Sequence, residues 1–407
     1  MPDPTSFCGL MAALRAQQTL TFRALAAKAK VSKSLLSDLE KGHRTPTVTT
    51  AAALDSALGA KGTLEAMADA ERRAALWAET GGRRGEEDPM RRRTLLKQGG
   101  GLLALGAADA LSSRLSASES ERIGAHRAIR AAHGQMDNLA GAGSIYAQAL
   151  DHHRSISGWL ASATSADERA RIAALASDTG GFVGFLTYDL GNPELAAHHY
   201  RTAASHARLA NDRSHAVNLL GQQSRISADQ GRLDEALTLT DRALEIAGTR
   251  AHPAVRSWLH AVRAHHHALL SQAGANDQSH AKNAHVDLHS AWTLLDVAHD
   301  GEVPPYIGYL STAELQKWTG HTMLRLGGKN ALKRGRTALD EAHTIWPSES
   351  VRGAAEMLTS SASIHLASGD HEAADAVIST AVSIATATGS ARNLRAALTV
   401  QTRLATT

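Results

Sequence analysis

Residues 19–46, TLTFRALAAKAKVSKSLLSDLEKGHRTP, have the pattern of two short helices joined by a tight turn. Thr21 and Ser32 are capping residues, each standing just before a segment with helical spacing of apolar side chains. Gly42 is placed to end the second helix. The residues that these helices would bury are Leu25, Ala26, Ala29, Leu36 and Leu39. The stretch therefore predicts two small helices packed on a shared interior.

Apolar residues recur at helical spacing on both sides of this stretch. They are Phe7, Leu10, Met11 and Leu14 upstream, and the run from Val48 through Ala51 to Leu58 downstream. A helical unit this small can bury its interior only if a short second helix projects from its surface. That arrangement is the way in which a helix-turn-helix protein enters the major groove of DNA.

The segment VSKSLLSDLEKGHRTP, residues 31–46, resembles the XRE-type, phage-repressor-like helix-turn-helix, whose pattern is approximately V-S-x-S-x-L-S-x-[IL]-E-x-G-x-R-x-P. The resemblance implies that the recognition helix faces the groove with Lys33, Ser34, Ser37 and Asp38, and that Lys41 and Arg44 lie beside phosphates. Lys33 would donate to guanine, and Asp38 would accept from cytosine. The resemblance also implies a structural pair between Arg15 and Glu40.

Two positions depart from the family pattern. Phe22 stands where the family often has a phosphate-binding glutamine, so the backbone amides at the helix N-terminus, near Thr21 and Phe22, would meet the phosphate instead. Lys30 stands where the family often has glycine, at a cost of up to about 1 kcal/mol if its backbone is left-handed. Between Arg15 and Arg44 there are seven Lys or Arg residues and two carboxylates, which favours DNA as a partner. The alternative is an ordinary helical cap with a solvated basic face.

Composition indicates an all-α protein of 407 residues with more than one domain. None of its nine prolines falls between Pro89 and Pro193, and the background is rich in alanine. Cys8 is the single cysteine, which excludes an internal disulfide and is typical of a reducing cytoplasm. No apolar run reaches transmembrane length, and we expect a cytoplasmic protein with no membrane partner.

One segment, beginning at Arg92-Arg93 and continuing through GGGLLALGAADALSS, is similar to a twin-arginine export signal. Export would require the true start to lie near Met90. Because the segment follows a predicted DNA-binding domain, we favour a hinge followed by a short apolar helix from Leu102 to Leu115. The predicted domains are 1–80, the linker 81–118, and 119–407.

A small-x3-large-x2-small pattern occurs five times in the C-terminal region, at intervals of 40, 55, 44 and 39 residues. The triplets are Ala196/Tyr200/Ala203, Ala236/Thr240/Ala243, Ala291/Leu295/Ala298, Gly335/Leu339/Ala342 and Ala374/Ile378/Ala381. Turn residues precede three of them. The pattern resembles tetratricopeptide (TPR) repeats in a loose form, with each triplet on the second helix of a hairpin. The alternative is a generic helical bundle.

Repeats of this kind form an α-solenoid with a concave binding face. If the first helix of each hairpin lines that face, the predicted ligand-contacting residues are Asp178, Phe185, Tyr188, Asn218, Arg225, Lys317 and Glu356. Asn218, Arg225 and Lys317 would hold a peptide carboxylate or backbone, and the aromatic pair an apolar side chain. The alternative is that these polar residues are simply solvated. The break at residues 301–305 would flex or shape the groove.

His285 and His289 are four residues apart, with His280 nearby, and such a set can bind zinc. Solvated or core histidines are the alternative that we favour, and we predict no metal and no cofactor. The sequence has no phosphate loop, nucleophile elbow or dinucleotide fingerprint, so we do not expect an enzyme.

These patterns together predict a DNA-binding transcriptional regulator with an N-terminal XRE-like domain and a TPR-like sensor. The architecture is similar to that of quorum-sensing peptide-receptor regulators of Gram-positive bacteria. The resemblance implies a homodimer on an operator, controlled by a signalling peptide or small molecule. A repeat scaffold that binds another protein, with a secondary or inactive helix-turn-helix, is the alternative.

Overall fold

The computed structural model describes residues 7–60, 64, 65, 68, 118–274, 278–298 and 302–407. Every regular element within these ranges is helical. No helix in them combines the length and the apolar character needed to cross a bilayer. The twin-arginine-like segment and the predicted apolar helix from Leu102 to Leu115 lie outside the described residues.

Four short helices form the N-terminal unit: α1 (Phe7–Gln17), α2 (Phe22–Ala29), α3 (Lys33–Glu40) and α4 (Val48–Leu58). The five interior residues predicted for α2 and α3 are buried. The prediction for Val48 is wrong, because its side chain is 66 % exposed. The inward stripe of α4 begins one turn later, at Ala51 and Leu54, since the first turn extends beyond the edge of this small core.

The C-terminal region contains consecutive helical hairpins followed by one final helix. Its helices are α5 (Glu119–Ala140), α6 (Ala142–Ala161), α7 (Ala166–Asp189), α8 (Pro193–Leu209), α9 (Arg213–Asp229), α10 (Leu233–Ala247), α11 (Pro253–Ala273), α12 (Gln278–Ala298), α13 (Thr312–Leu326), α14 (Gly328–Thr344), α15 (Val351–Ala367), α16 (His371–Ala387) and α17 (Ala391–Thr406). A short 3-10 helix, Pro305–Ile307, stands between α12 and α13. The region is an α-solenoid, and with the N-terminal unit it confirms the predicted all-α fold.

Each of the five triplets lies buried on the second helix of a hairpin. The small residues permit close helix approach: a Cβ added to Gly184 of α7 would lie 2.8 Å from the Tyr200 ring of α8. The first hairpin, α5 and α6, carries no such triplet, and the pattern did not reveal it. Its interior is formed instead by residues such as Ile145 and Ala149.

The last helices of the solenoid pack against the first ones, α15 on α5 and α17 on α7. Asp189, fully buried at the end of α7, accepts a hydrogen bond of 2.7 Å from the Ser390 hydroxyl. Arg352 of α15 donates to Asp137 of α5 at 3.1 Å. We call this contact between the two ends the closure. It turns the concave face of the solenoid into the wall of a central cavity.

Candidate nucleic-acid interface and central cavity

A residue in the left-handed conformation joins α2 to α3. Lys30 has φ 54° and ψ 40°, and its backbone N–H donates to the carbonyl of Ala26. In this conformation a lysine is less stable by about 1 kcal/mol than the glycine of the family pattern. Val31, the next residue, packs against the interior. The turn therefore keeps the geometry of the motif in spite of the substitution.

The predicted pair between Arg15 and Glu40 is present and holds α3 against α1. The guanidinium donates to both carboxylate oxygens, at 3.0 and 2.8 Å. A third bond of 3.0 Å goes from Arg15 to the carbonyl of Leu20, in the turn before α2. The hydrogen bond with Glu40 raises the pKa of Arg15. One side chain thus fixes the orientation of the recognition helix relative to its neighbours.

The remaining polar side chains of α3 lie on its exposed or partly exposed side, where the Ser34 hydroxyl shares a 3.1 Å hydrogen bond with that of Ser32. Lys33 and Ser34, at its N-terminal end, are exposed, while Ser37 and Asp38 are half-buried. Beyond the helix, Lys41 and Arg44 are exposed as well; their proposed roles at DNA stay predictions. The exposed residues form a surface with positive charge at the helix ends, which is what the phosphates of DNA attract.

Thr21 and Phe22, at the start of α2, have structural partners within the domain. The Thr21 hydroxyl accepts a hydrogen bond from the backbone N–H of Ala24 and so caps α2. The Phe22 ring lies 4.3 Å from the guanidinium of Arg15 and packs against the interior. Phosphate contact at this end would therefore come from backbone N–H groups, and that role stays a prediction.

The concave side of the solenoid forms a partly open cavity of about 1400 Å³. Its wall is built from the first helices of five hairpins, α5, α7, α9, α13 and α15, together with α17, Tyr200 of α8 and the segments 302–311 and 346–350. The predicted ligand-contacting residues that line it are Asp178, Phe185, Asn218, Arg225, Lys317 and Glu356. The structure thus brings six of the seven predicted residues to one space.

Tyr188, the seventh, lies behind this wall. Its side chain is 4 % exposed, and its hydroxyl donates a hydrogen bond to Asp229. Burial is the main reason that the pKa of Tyr188 lies well above its usual value. Its role is to support the wall, because Arg392 and Arg225 lie over its ring at 5.2 and 5.9 Å.

Glu356 is the centre of the charge network on the wall. Lys317 and Arg392 donate to its carboxylate at 3.1 and 3.2 Å, and Arg225 lies 3.6 Å away. Burial by itself would raise the pKa of Glu356, but these three cations hold it well below the usual range. Lys317 also pairs with Glu314 at 2.8 Å. The cavity therefore offers charges of both signs to a ligand.

Cations also cover the aromatic rings at the α5 and α7 side of the cavity. Arg130 lies 3.8 Å from the centre of the Phe182 ring, and Arg352 lies 4.5 Å from that of Phe185. Arg130 pairs with Asp178 at 3.5 Å. Burial raises the pKa of Asp178, and the charge of Arg130 opposes that rise. This side of the wall combines apolar rings with paired charges.

The segment 302–311 occupies part of the concave face. Ile307 and Leu310 are buried in a cluster with Trp258 of α11, so that α11 itself contributes no helical residue to the cavity wall. Tyr306 stacks on His215 at 3.9 Å between ring centres, and Tyr309 also faces the cavity. Sequence reasoning noted this break but missed its two tyrosines. The signal available was their position in an apolar segment between two hairpins.

Arg352 and Arg392 were also missed: Arg352 lies one turn before Glu356 on the same face of α15, where register could have identified it, whereas only the closure brings Arg392 to the cavity. Arg392 lies on α17, after the last repeat triplet, where repeat spacing makes no prediction. Within the described residues, no group of three or more potential ligands approaches metal-binding geometry. His285 and His289 are exposed on α12, and His280 lies 2.9 Å from His267.

A family model described as a helix-turn-helix domain matches residues 7–67, which include α1 to α4. No curated protein matches the chain. The N-terminal unit is therefore a helix-turn-helix domain, and the match supports a DNA-binding regulator.

Proposed function

We propose that this chain is a sequence-specific transcriptional regulator of the XRE type, and that a peptide or small molecule in the central cavity changes its affinity for an operator. The match of residues 7–67 to a helix-turn-helix domain carries the proposal. The exposed N-terminal end of α3, with Lys33 and Ser34, supports it, because this end must approach base edges.

In this proposal each exposed side chain of α3 has a defined task. Lys33 and Ser34 contact base edges in the major groove. Ser37 and Asp38, about one turn later on the same helix, contact bases as well. Lys41 and Arg44, which follow α3, neutralise phosphates and contribute affinity for any sequence.

The solenoid acts as the sensor and as the contact between two subunits. Its triplet spacing resembles that of tetratricopeptide repeats, whose concave faces bind peptides and other ligands. A homodimer would present two copies of α3 to half-sites about one turn of DNA apart. Both assignments follow from the architecture that the sequence resembles.

A ligand in the cavity has a physical route to the closure through Arg392. This side chain donates to Glu356 on the cavity wall, and its Nε lies 3.8 Å from Asp189 at the closure. A ligand that competes for Arg392 changes the free energy of the closed arrangement. Only such a difference between two arrangements can switch operator affinity.

The test begins with selection of duplexes from a random pool by the full-length protein. The selected sequence is then titrated with wild type, with Lys33→Ala, and with Lys28→Ala as a control at an exposed cation on α2. Loss of selectivity in Lys33→Ala alone supports the regulator. No selected sequence, even at low salt, refutes it. Operator affinity is then measured with and without an extract of peptides and metabolites from the producing cells. Equal affinities would remove the ligand from the proposal.

A further inference from the structure

Two uncharged buried side-chain groups on the cavity wall have no well-formed hydrogen bond among the described residues. They are the hydroxyl of Tyr200 on α8 and Nδ2 of Asn218 on α9. Tyr200 is 1 % exposed and Asn218 is 3 % exposed. A buried donor without a partner destabilises the folded state, and nearly all such groups in proteins are satisfied. In an open cavity, the acceptor for these two donors comes from solvent or from a bound ligand.

Arg225 brings a positive charge to the same place. It lies two turns after Asn218 on α9, and its guanidinium donates to Gln222 at 3.3 Å. Its distance of 3.6 Å from Glu356 is too long for a good hydrogen bond. Burial raises the pKa of Tyr200, and the charge of Arg225 is the largest opposing influence, which is consistent with a short distance between them.

Tyr309 of the segment 302–311 lies beside these groups. Burial raises the pKa of its phenol, while the charge of Arg225 and a poorly aligned hydrogen bond from the Asn218 side chain oppose the rise. Its hydroxyl also accepts a long hydrogen bond, 3.4 Å, from Gln222, and the residue is 46 % exposed. The side chain is therefore weakly held, and turning it aside would uncover the two unsatisfied groups.

We propose that Tyr200, Asn218 and Arg225 form a subsite for the carboxylate of a small organic acid, which enters when Tyr309 turns aside. The hydroxyl, the amide N–H and the guanidinium all act as donors, and a carboxylate accepts several such bonds at once. The charge of Arg225 favours an anionic acceptor over a neutral carbonyl. This inference rests on the proposed function only in using the same cavity for the ligand.

The first test needs no ligand and compares two buried tyrosines. The Tyr188 hydroxyl donates to Asp229, whereas the Tyr200 hydroxyl has no partner in the described structure. Tyr188→Phe should lower the thermal midpoint of the full chain, and Tyr200→Phe should leave it unchanged or raise it. If Tyr200→Phe lowers the midpoint as much as Tyr188→Phe, the hydroxyl has a structural partner and the subsite is wrong.

The second test uses matched acids and amides: benzoate with benzamide, phenylacetate with phenylacetamide, and hexanoate with hexanamide. Ligand-observed NMR on the full chain, without DNA, should show the acids binding at least about 10-fold more tightly than their amides. Tyr200→Phe should remove about that factor from the acids, since it deletes one charge-assisted hydrogen bond.

Three results would each overturn the assignment: no acid bound at millimolar concentration, equal affinities within every pair, or an unchanged acid preference in Tyr200→Phe. Operator binding is measured separately. A missing acid preference therefore leaves the DNA-binding proposal intact, and a protein that fails on DNA can still display the preference.

Discussion

Replacing Gly141 with alanine should break the closure that joins the two ends of the solenoid. Gly141 has φ +83°, and a Cβ there would lie 2.6 Å from the carbonyl carbon of Thr388 and 2.9 Å from its Cα, with the carbonyl oxygen closer still. These are backbone atoms, so no side-chain rotation relieves the overlap. The helical turn between α5 and α6 must move away from the turn before α17.

The expected cost has two parts. With φ +83° and ψ 168°, Gly141 lies in a backbone region essentially confined to glycine, which costs alanine about 1 to 3 kcal/mol. Separation of the turns removes the hydrogen bond from Ser390 to the buried carboxylate of Asp189, which contributes about 1.5 to 3 kcal/mol as a bond to a charged group. We therefore expect a loss of about 3 to 6 kcal/mol in unfolding free energy.

Urea unfolding followed by circular dichroism measures this loss, and X-ray scattering measures the expected increase in radius of gyration. Gly124→Ala on α5 is the matched control, because no atom lies within 4 Å of the added Cβ. It should stabilise the helix by about 0.5 to 1 kcal/mol. A Gly141→Ala protein within about 0.5 kcal/mol of wild type and with the same radius would show that the closure is not formed in solution.

Three further outcomes are expected. Glu356→Gln should destabilise the chain by about 3 kcal/mol in urea unfolding because three cations lose their shared carboxylate, whereas Glu349→Gln at an exposed position should change it by less than about 0.5 kcal/mol. Burial lowers the pKa of His153 to about 4 and that of several other histidines to about 3, below the unfolded value of about 6.5. Below about pH 6.5 the unfolded chain therefore binds more protons than the folded chain. The stability that these neutral histidines contribute is complete above about pH 6.5 and falls toward pH 4, by up to about 1.4 kcal/mol per pH unit for each histidine. A thermal midpoint that stays constant over this range would contradict the assignment. In DNA titrations Lys33→Ala should relax preference at one base position by about 1 to 3 kcal/mol, whereas Arg44→Ala should weaken binding to every sequence and reduce the salt slope by about one; identical behaviour would mean that the groove-facing register is wrong.

The helix-turn-helix was predictable in detail because its determinants are local. Thr21 and Ser32 cap the helices that follow them, and the residues that fill the interior recur at helical spacing. The pair between Arg15 and Glu40 followed from the family pattern, although 25 positions separate the two residues. Val48 was misassigned because spacing alone does not reveal where a small core ends.

The candidate cavity was predictable only in part. Register on the first helix of each hairpin identified six lining residues, since neighbouring repeats present equivalent faces to the concave side. Tyr188 has the same general register but lies behind the wall, where it supports Arg392 and Arg225. A one-dimensional repeat pattern does not distinguish the surface of a wall from the layer beneath it.

The sequence by itself determined the elements of this protein: the capped helices of the DNA-binding unit, the all-α class, and the hairpins marked by small and large residues at fixed spacing. These depend on interactions within a few turns of helix or between neighbouring hairpins. Only the tertiary structure decided that the solenoid closes on itself, bringing Arg392 to Glu356 and Ser390 to Asp189. Closure depends on the small rotation between successive hairpins summed over the whole solenoid, and no local stretch of sequence specifies that sum.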